Sequence, residues 1–363
     1  MAVVVEQAAA FGWDVTVDEV APGRPNAIIR IDGGLPGSIL LFEGHTDVVT
    51  EGDPCEWAFD PFCADIVDDK ICGRGAADMK GGVAAMMFAA RAVEVGGPFP
   101  GAIVLAILCD EEEMMIGVHD FVDRGYAKGV DGAIVCEPEG GEVCTVQKGA
   151  MRLRVDLLGE MAHGAMPHEG RNPIRAAATL MQRLAAVERE LQDDHGEHPH
   201  LGFAYITPTH ITGGSLPQLN VIPSSSLVTF DIRTIPGIDH DELLTRIANI
   251  ASEITEASGV SVDLTVLVDR PPTDTPVDDP VVKAVAEAHT AVTGEAPAYG
   301  GVPGTTDGTI LWRDAGLPVV VYGPGGKWIA HQKDEFVEIE DLVTSAEVYI
   351  EAACRFLGVD HLE

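Results

Sequence analysis

His45, Asp47, Asp78, Glu111, Glu112, Glu137 and His331 are the residues whose types could do chemistry, and each follows an apolar run or a glycine-rich turn. His45-Thr46-Asp47 comes after SILLFEG, Asp110-Glu111-Glu112 after GAIVLAILC, and Glu137 after GAIVC. Asp78 sits in GRGAADMKGG, just ahead of a helical run, and His331 in GPGGKWIAHQ. Counted as one ligand from each strand end or turn, two imidazoles with three carboxylates and no thiolate make a hard-to-borderline donor set, suited to Zn²⁺, Co²⁺ or Mn²⁺. One zinc needs three or four ligands. Five, with one carboxylate able to bridge, suit a pair of ions about 3.5–4 Å apart. Asp47 lies two residues from His45, on the same side of an extended chain, where it can accept the other ring N–H and fix the tautomer.

Each residue alone has an ordinary reading. A histidine after a strand is usually a satisfied loop residue, an aspartate in a glycine-rich turn is usually a turn or cap residue, and adjacent glutamates are usually solvated. What joins these residues is their position. Apolar strands at 38–44, 101–110, 131–138 and 317–323 alternate with helical runs at 81–95, 117–125, 279–294 and 339–358. Continuous apolar strands interleaved with helices predict a largely parallel sheet covered on both faces, an α/β fold. Such sheets bind ligands outside the carboxyl ends of their strands, which is where the candidates fall.

The texture changes after VQKGA (146–150). Alternating strands at 151–160, 202–212, 225–234 and 261–269, with helices at 172–192 and 239–258, give the order β-α-β-β-α-β of a ferredoxin-like α+β unit. The proline-rich RPPTDTP (270–276) suits a hinge. The expected organisation is a catalytic, metal-binding α/β domain over residues 1–150 and 271–363, with a smaller domain over 151–270 inserted into it.

At 363 residues and 46% apolar content the chain can build more than one small core. Its 58 acidic and 23 basic side chains leave a formal charge of −35, a field that repels nucleic acid and anionic membranes. Most of this acidity reads as solubility or salt adaptation. The seven cysteines include no C-x-x-C pair, which argues against a disulfide framework and a thiolate zinc site. No apolar run reaches membrane-spanning length, and MAVVVEQAAAFGWDV lacks a basic n-region and a cleavage site, so a soluble cytoplasmic protein is expected. GPGGKW lacks the spacing and the Ser or Thr of a phosphate loop, and neither G-x-S-x-G nor H-E-x-x-H occurs. His195, His198 and His200 belong to a polar loop.

The motifs HTDVV, GRGAADMKGG, DEEEMMIG, EP, HGAMPHEGRNPI, NVIP…FDIR and GTTDG…H occur in one order over about residues 38–350. With them the chain resembles the dinuclear-zinc acyl-amino-acid hydrolases: acetylornithine deacetylase, succinyl-diaminopimelate desuccinylase, aminoacylase and the glutamate carboxypeptidases. The resemblance implies two divalent ions, Zn²⁺ first, held by His45, Asp78, Glu112, Glu137 and His331. Asp78 would bridge, Glu112 would join His45, and His331 would join Glu137. Glu111 would be the general base for the attacking water, passing its proton to the leaving amine. The inserted domain would be a lid and dimerisation domain, with His163 in AHGAMP reaching a partner's site to stabilise the oxyanion. Asn220, Arg233 and Gly304 would contact substrate, Arg233 through a bidentate grip on a carboxylate. Met114 and Glu160 depart from the family, which often has glycine and a basic residue there. Glu113 has no matched role and is read as surface. The implied activity is hydrolysis of an N-acyl amino acid by a homodimer. The alternatives are a carboxypeptidase or dipeptidase on the same site, and an inactive relative kept for binding.

Overall fold

The computed structural model describes residues 1–359, which form two compact units. The first comprises Met1–Val146, Asp274–Val302 and the chain from Thr306 onward; the second comprises Gln147–Thr273 with Pro303–Thr305.

In the first unit, four central strands are parallel, in the order Phe99–Leu108, Gly34–His45, Gly132–Val135, Val319–Val321. Alternate side chains leave opposite faces of the sheet and enter different cores. Leu40, Phe42, Ile103, Leu105, Ile107, Ile134 and Val320 pack with the helices Gly81–Val95, Pro280–Thr293 and Ile339–Leu357. Leu41, Val104, Ala106, Leu108, Val135, Val319 and Val321 pack with Ile116–Asp123 and Gly308–Ala315. Two buried faces explain why these strands read as unbroken apolar runs.

The flanks of the sheet are antiparallel. Residues 15–32, unassigned from sequence, form a hairpin of Val15–Ala21 and Arg24–Asp32, and the latter pairs with Phe99–Leu108. Charges at Asp18, Glu19, Arg24 and Arg30 obscure the strand pattern, because this edge meets water on one side. A small separate sheet joins Ile66–Val67, Lys70–Cys72 and Phe336–Glu338, tying the loop after His331 to the one before Asp78.

Close approach at one glycine fixes how the helix beginning at Gly81 meets the sheet. A Cβ on Gly82 would lie 2.0 Å from the Cys136 carbonyl oxygen, the residue before Glu137. Alanine there must push the helix from the strand end. Gly82→Ala is expected to cost about 1–3 kcal/mol through overpacking. The urea midpoint checks this, and an unchanged midpoint rules the constraint out.

The second unit has a four-stranded antiparallel sheet in the order Tyr205–Gly213, Ser225–Thr234, Gly149–Leu158, Ser261–Arg270. This is the ferredoxin-like order, 2-3-1-4 in chain sequence. Burial alternates strictly along Ser225–Thr234, with Ser226, Val228, Phe230, Ile232 and Thr234 inside, as for a sheet with one covered face. The helix Pro173–His195 starts at Asn172, whose Oδ1 accepts the Ile174 N–H at 3.0 Å, with proline in its first turn. Ala176, Ala177, Leu180, Leu184, Val187 and Leu191 give it one buried stripe. The helix His240–Ser258 is capped by Asp239 and ends at Gly259 in the left-handed region, φ 70°. No helix among the described residues is long and apolar enough to cross a membrane.

Candidate metal centre

Parallel register brings the first two candidate ligands together. Glu43 stands opposite Val135, so two residues further on His45 and Glu137 leave neighbouring strands at the same level. His45 Nε2 lies 3.5 Å from Glu137 Oε1 and 3.3 Å from Asp78 Oδ1, and the ring is fully buried. Its Nδ1 lies 3.0 Å from the backbone carbonyl of Asp47 and 3.5 Å from that residue's Oδ1. The tautomer-fixing partner expected from the Asp47 side chain is thus foremost its carbonyl. With Nδ1–H held there, Nε2 is the nitrogen left to meet a cation. The Asp47 carboxylate also accepts the Glu112 N–H, at 3.2 Å, and so anchors the acidic turn.

Asp78 occupies an irregular turn, Ala76–Lys80, with φ −113° and ψ 95°, and the Asp78–Met79 peptide is cis. Its two oxygens face different histidines: Oδ1 faces His45, and Oδ2 lies 3.1 Å from His331 Nε2. His331 Nε2 is also 3.0 Å from Glu112 Oε2. The short approaches therefore pair His45 with Glu137 and His331 with Glu112, with Asp78 between them. The resemblance implied the other pairing, Glu112 with His45 and His331 with Glu137, and one donor atom each of His45, Asp78 and Glu112 also lie within 4.8 Å of one another. Glu137 sits level with His45, whereas Glu112 lies four residues beyond Leu108, the residue opposite His45.

The turn carrying the three glutamates reverses immediately after its strand. Asp110 adopts φ 69°, its carbonyl accepts the Met115 N–H at 2.7 Å, and its side chain accepts that of Met114 at 3.2 Å. Glu111 is thereby turned inward and buried, grouped with His45 and Glu137 within 4.8 Å. Glu113 is exposed and accepts from Arg24. Beside Glu112 a cavity of about 600 Å³ is lined by Arg24, Thr46, Asp47, Thr50 and Cys109, among others.

The electrostatics follow from crowding acids where water is scarce. Burial, with the charge of Asp78 adding to it, pushes Glu137 up to about 8. Burial raises Glu111 well above the usual carboxylate range, although His45 opposes it. Burial alone would raise Asp78 too, but hydrogen bonds from His331 and His45 hold it well below that range. Hydrogen bonds to Asp78 and Glu112 push His331 up to about 10. In His45, burial works against the charged form and is outweighed by Asp47, Asp78 and Glu137. Glu43 and Asp307, also buried, deepen the negative potential around Glu111 and Glu137. A buried excess of carboxylates converging with two imidazoles fits a pair of divalent cations in donor type and in charge. A third acidic group, Glu139, Glu142 and Cys144, does not. Lys327 Nζ already sits 2.7 Å from Glu139 and 2.8 Å from Glu142.

The remaining candidates belong to the second unit. His163 and Asn220 are neighbours there: Ala162–His163 pairs with Val221–Ile222, and the Gly164 N–H donates to the Asn220 carbonyl at 2.7 Å. His163 Nδ1 accepts from Ala165 N–H, and both His163 and Asn220 are exposed. Arg233 already has a carboxylate partner, Asp231 two residues earlier on the same strand, at 2.6 and 3.2 Å. Any further carboxylate brought to Arg233 would have to share or displace that contact. Gly304 lies in an open segment, where a Cβ would meet nothing within 4 Å. Arg74 and Glu335, singled out by no sequence motif, lie directly behind Asp78. Their signal was only adjacency: Arg74 lies inside GRGAADMKGG, and Glu335 four residues past His331.

Known proteins are similar to this chain in sequence and in fold. The model of peptidase family M20/M25/M40 matches residues 41–355. The chain is 34% identical to a succinyl-diaminopimelate desuccinylase of Methylobacterium radiotolerans over 342 residues, covering 90% of this chain and 83% of that protein. It is also 34% identical to one of Dinoroseobacter shibae, covering 85% and 81%. Among solved structures it is similar in fold to aminopeptidase PepT of Bacillus cereus, with TM-score 0.78, 19% identity, and coverage of 98% and 92%. An M20 family metallo-carboxypeptidase of Sulfolobus solfataricus aligns at TM-score 0.73 and 19% identity, with coverage of 97% and 92%.

Proposed function

The chain belongs to peptidase family M20/M25/M40, and on that premise we propose that this metal-dependent amide hydrolase removes a succinyl group from an N-succinyl amino acid. The observation that carries the reading is the convergence of His45, Asp78, Glu112, Glu137 and His331, with Glu111 buried beside them. The two desuccinylases that match most of the chain's length support the choice of acyl group. No ligand position or base is lost, which disfavours an inactive binding relative.

His45 and Glu137 would hold one ion and His331 and Glu112 the other, with Asp78 shared between them. The ions, zinc in the simplest reading and cobalt or manganese by the same donor chemistry, supply Lewis acidity that lowers the pKa of water and polarises the scissile carbonyl. Glu111 takes the proton of the attacking water and delivers it to the departing amine nitrogen. Burial beside His45 and Glu137 keeps it next to where that water would be held. Asp47 keeps the His45 ring and the Glu112 backbone in register. The second unit's candidates for substrate contact are Asn220 and His163, as hydrogen-bonding groups, and Arg233, as a carboxylate grip buttressed by Asp231. Gly304 leaves backbone open to substrate. The unit also serves as the interface of a homodimer, in which His163 acts on the partner's substrate. A monomer with full activity removes that role.

A panel of N-succinyl-diaminopimelate, N-acetylornithine and dipeptides, assayed with added Zn²⁺ or Co²⁺, tests the substrate. The expected order of kcat/KM places the succinyl amide first. A dipeptide in first place replaces this reading with an exopeptidase, and hydrolysis of none of them removes the enzyme reading.

A further inference from the structure

Behind Asp78 lies a carboxylate that holds the backbone of this candidate ligand and so fixes where its side chain stands. Glu335 is fully buried. Its Oε1 accepts the backbone N–H groups of Ala77 and Asp78, each at 3.0 Å, and its Oε2 accepts from Arg74 Nη1 at 2.6 Å. Its own carbonyl accepts the Gly73 N–H at 2.9 Å. Arg74 is buried as well, with its guanidinium over the Trp57 ring at 5.0 Å from the centroid. One residue earlier, Asp334 accepts the Ala58 N–H at 2.7 Å. The segment beginning at His331 is thus stitched to the loop that delivers Asp78.

A buried ion pair is a poor way to gain stability, because desolvation offsets the attraction. It is a good way to fix geometry, since every partner is directional and charge-assisted. Asp78 needs such support: its turn has non-helical dihedrals, so no regular ladder of hydrogen bonds sets its orientation. Yet its two oxygens must face two histidines on different segments.

We propose that Glu335 and Arg74 are a positioning pair that presents Asp78 to both ions and sets its spacing from His331. The inference rests on the two-ion reading of the site. Removing one member lowers affinity for at least one ion by about 10- to 100-fold, the usual consequence of losing a group that orients a ligand.

The test is calorimetric titration of metal-stripped wild type, Glu335→Gln, Arg74→Met and Arg74→Lys with Zn²⁺, alongside the melting temperature of each stripped protein. Wild type is expected to take up two ions. Glu335→Gln turns an NH₂ donor toward Arg74 or toward two N–H groups, and weakens uptake of at least one ion. Arg74→Met does the same, and Arg74→Lys restores part of the loss. At sub-saturating Zn²⁺ the variants lose kcat with KM unchanged, and added Zn²⁺ recovers it. Should Glu335→Gln fail to fold, the Arg74 variants give the same readout. Wild-type affinity for both ions in a folded variant overturns the proposal, even if its melting temperature falls. Wild type that takes up no ions overturns the two-ion reading instead.

Discussion

Glu111→Gln is expected to lower kcat by about 100- to 10,000-fold while both ions stay bound at wild-type affinity. The amide has nearly the volume of the carboxylate and can keep its place beside His45 and Glu137, but it cannot accept and return a proton. KM should change little, because the lost interaction belongs to proton transfer and not to ground-state binding. Its neighbour gives the contrast. Glu112 faces His331 at 3.0 Å, so Glu112→Gln should weaken metal uptake first and lower kcat as a consequence, recoverable with excess ion. Two adjacent glutamates with different failure modes separate base from ligand. Equal loss of ion affinity in both variants makes Glu111 a ligand, and near-normal turnover in Glu111→Gln removes it as the base. Inductively coupled plasma analysis of metal content and steady-state kinetics on the preferred substrate decide between these outcomes.

What sequence could reveal here depended on whether a property was local. His45, Glu111, Glu112 and Glu137 could be flagged because each follows an apolar strand, and strand ends of α/β sheets collect functional groups. The alternation along Ser225–Thr234 was equally legible, since period two on a half-buried strand is written in its side chains. The distances between ligands were not. They depend on which strands are neighbours and in what register, and the strand holding Glu43 opposite Val135 arrives nearly a hundred residues later. Arg233 carries a different lesson. Asp231 lies at i−2, on the same face of the strand, so its competition for the guanidinium was readable from spacing. Residues 15–32 stayed unassigned because an exposed edge tolerates charges that erase the apolar signal. Glu335 was invisible because two of its partners are backbone N–H groups, which no residue pattern names, and the third, Arg74, is 261 residues away in the chain.

Stripping the protein with a chelator is expected to abolish turnover, and Zn²⁺ or Co²⁺ to restore it together with thermal stability. The physical reason is the charge left behind. Without cations, Asp78, Glu111 and Glu137 are buried together with Glu43 and Asp307, and the folded state tolerates them only by holding protons or leaning on His45 and His331. Ions bind the folded arrangement alone, so at 100 times the dissociation constant each adds about 2.7 kcal/mol to stability. Uptake near pH 7 must also expel protons. Burial pushes Glu137 up to about 8 and hydrogen bonds to Asp78 and Glu112 push His331 up to about 10 in the ion-free protein, which favours their protonated forms, and ligation needs each deprotonated. Calorimetric enthalpies should therefore vary with the ionisation enthalpy of the buffer. Asp78→Ala should do the most damage of any ligand change, because it removes the carboxylate whose two oxygens face both histidines. Expected is fewer than two ions per chain and loss of turnover that added metal does not repair. Full activity after chelation removes metal from the chemistry, and two ions held tightly by Asp78→Ala leave the metals but take away their shared ligand.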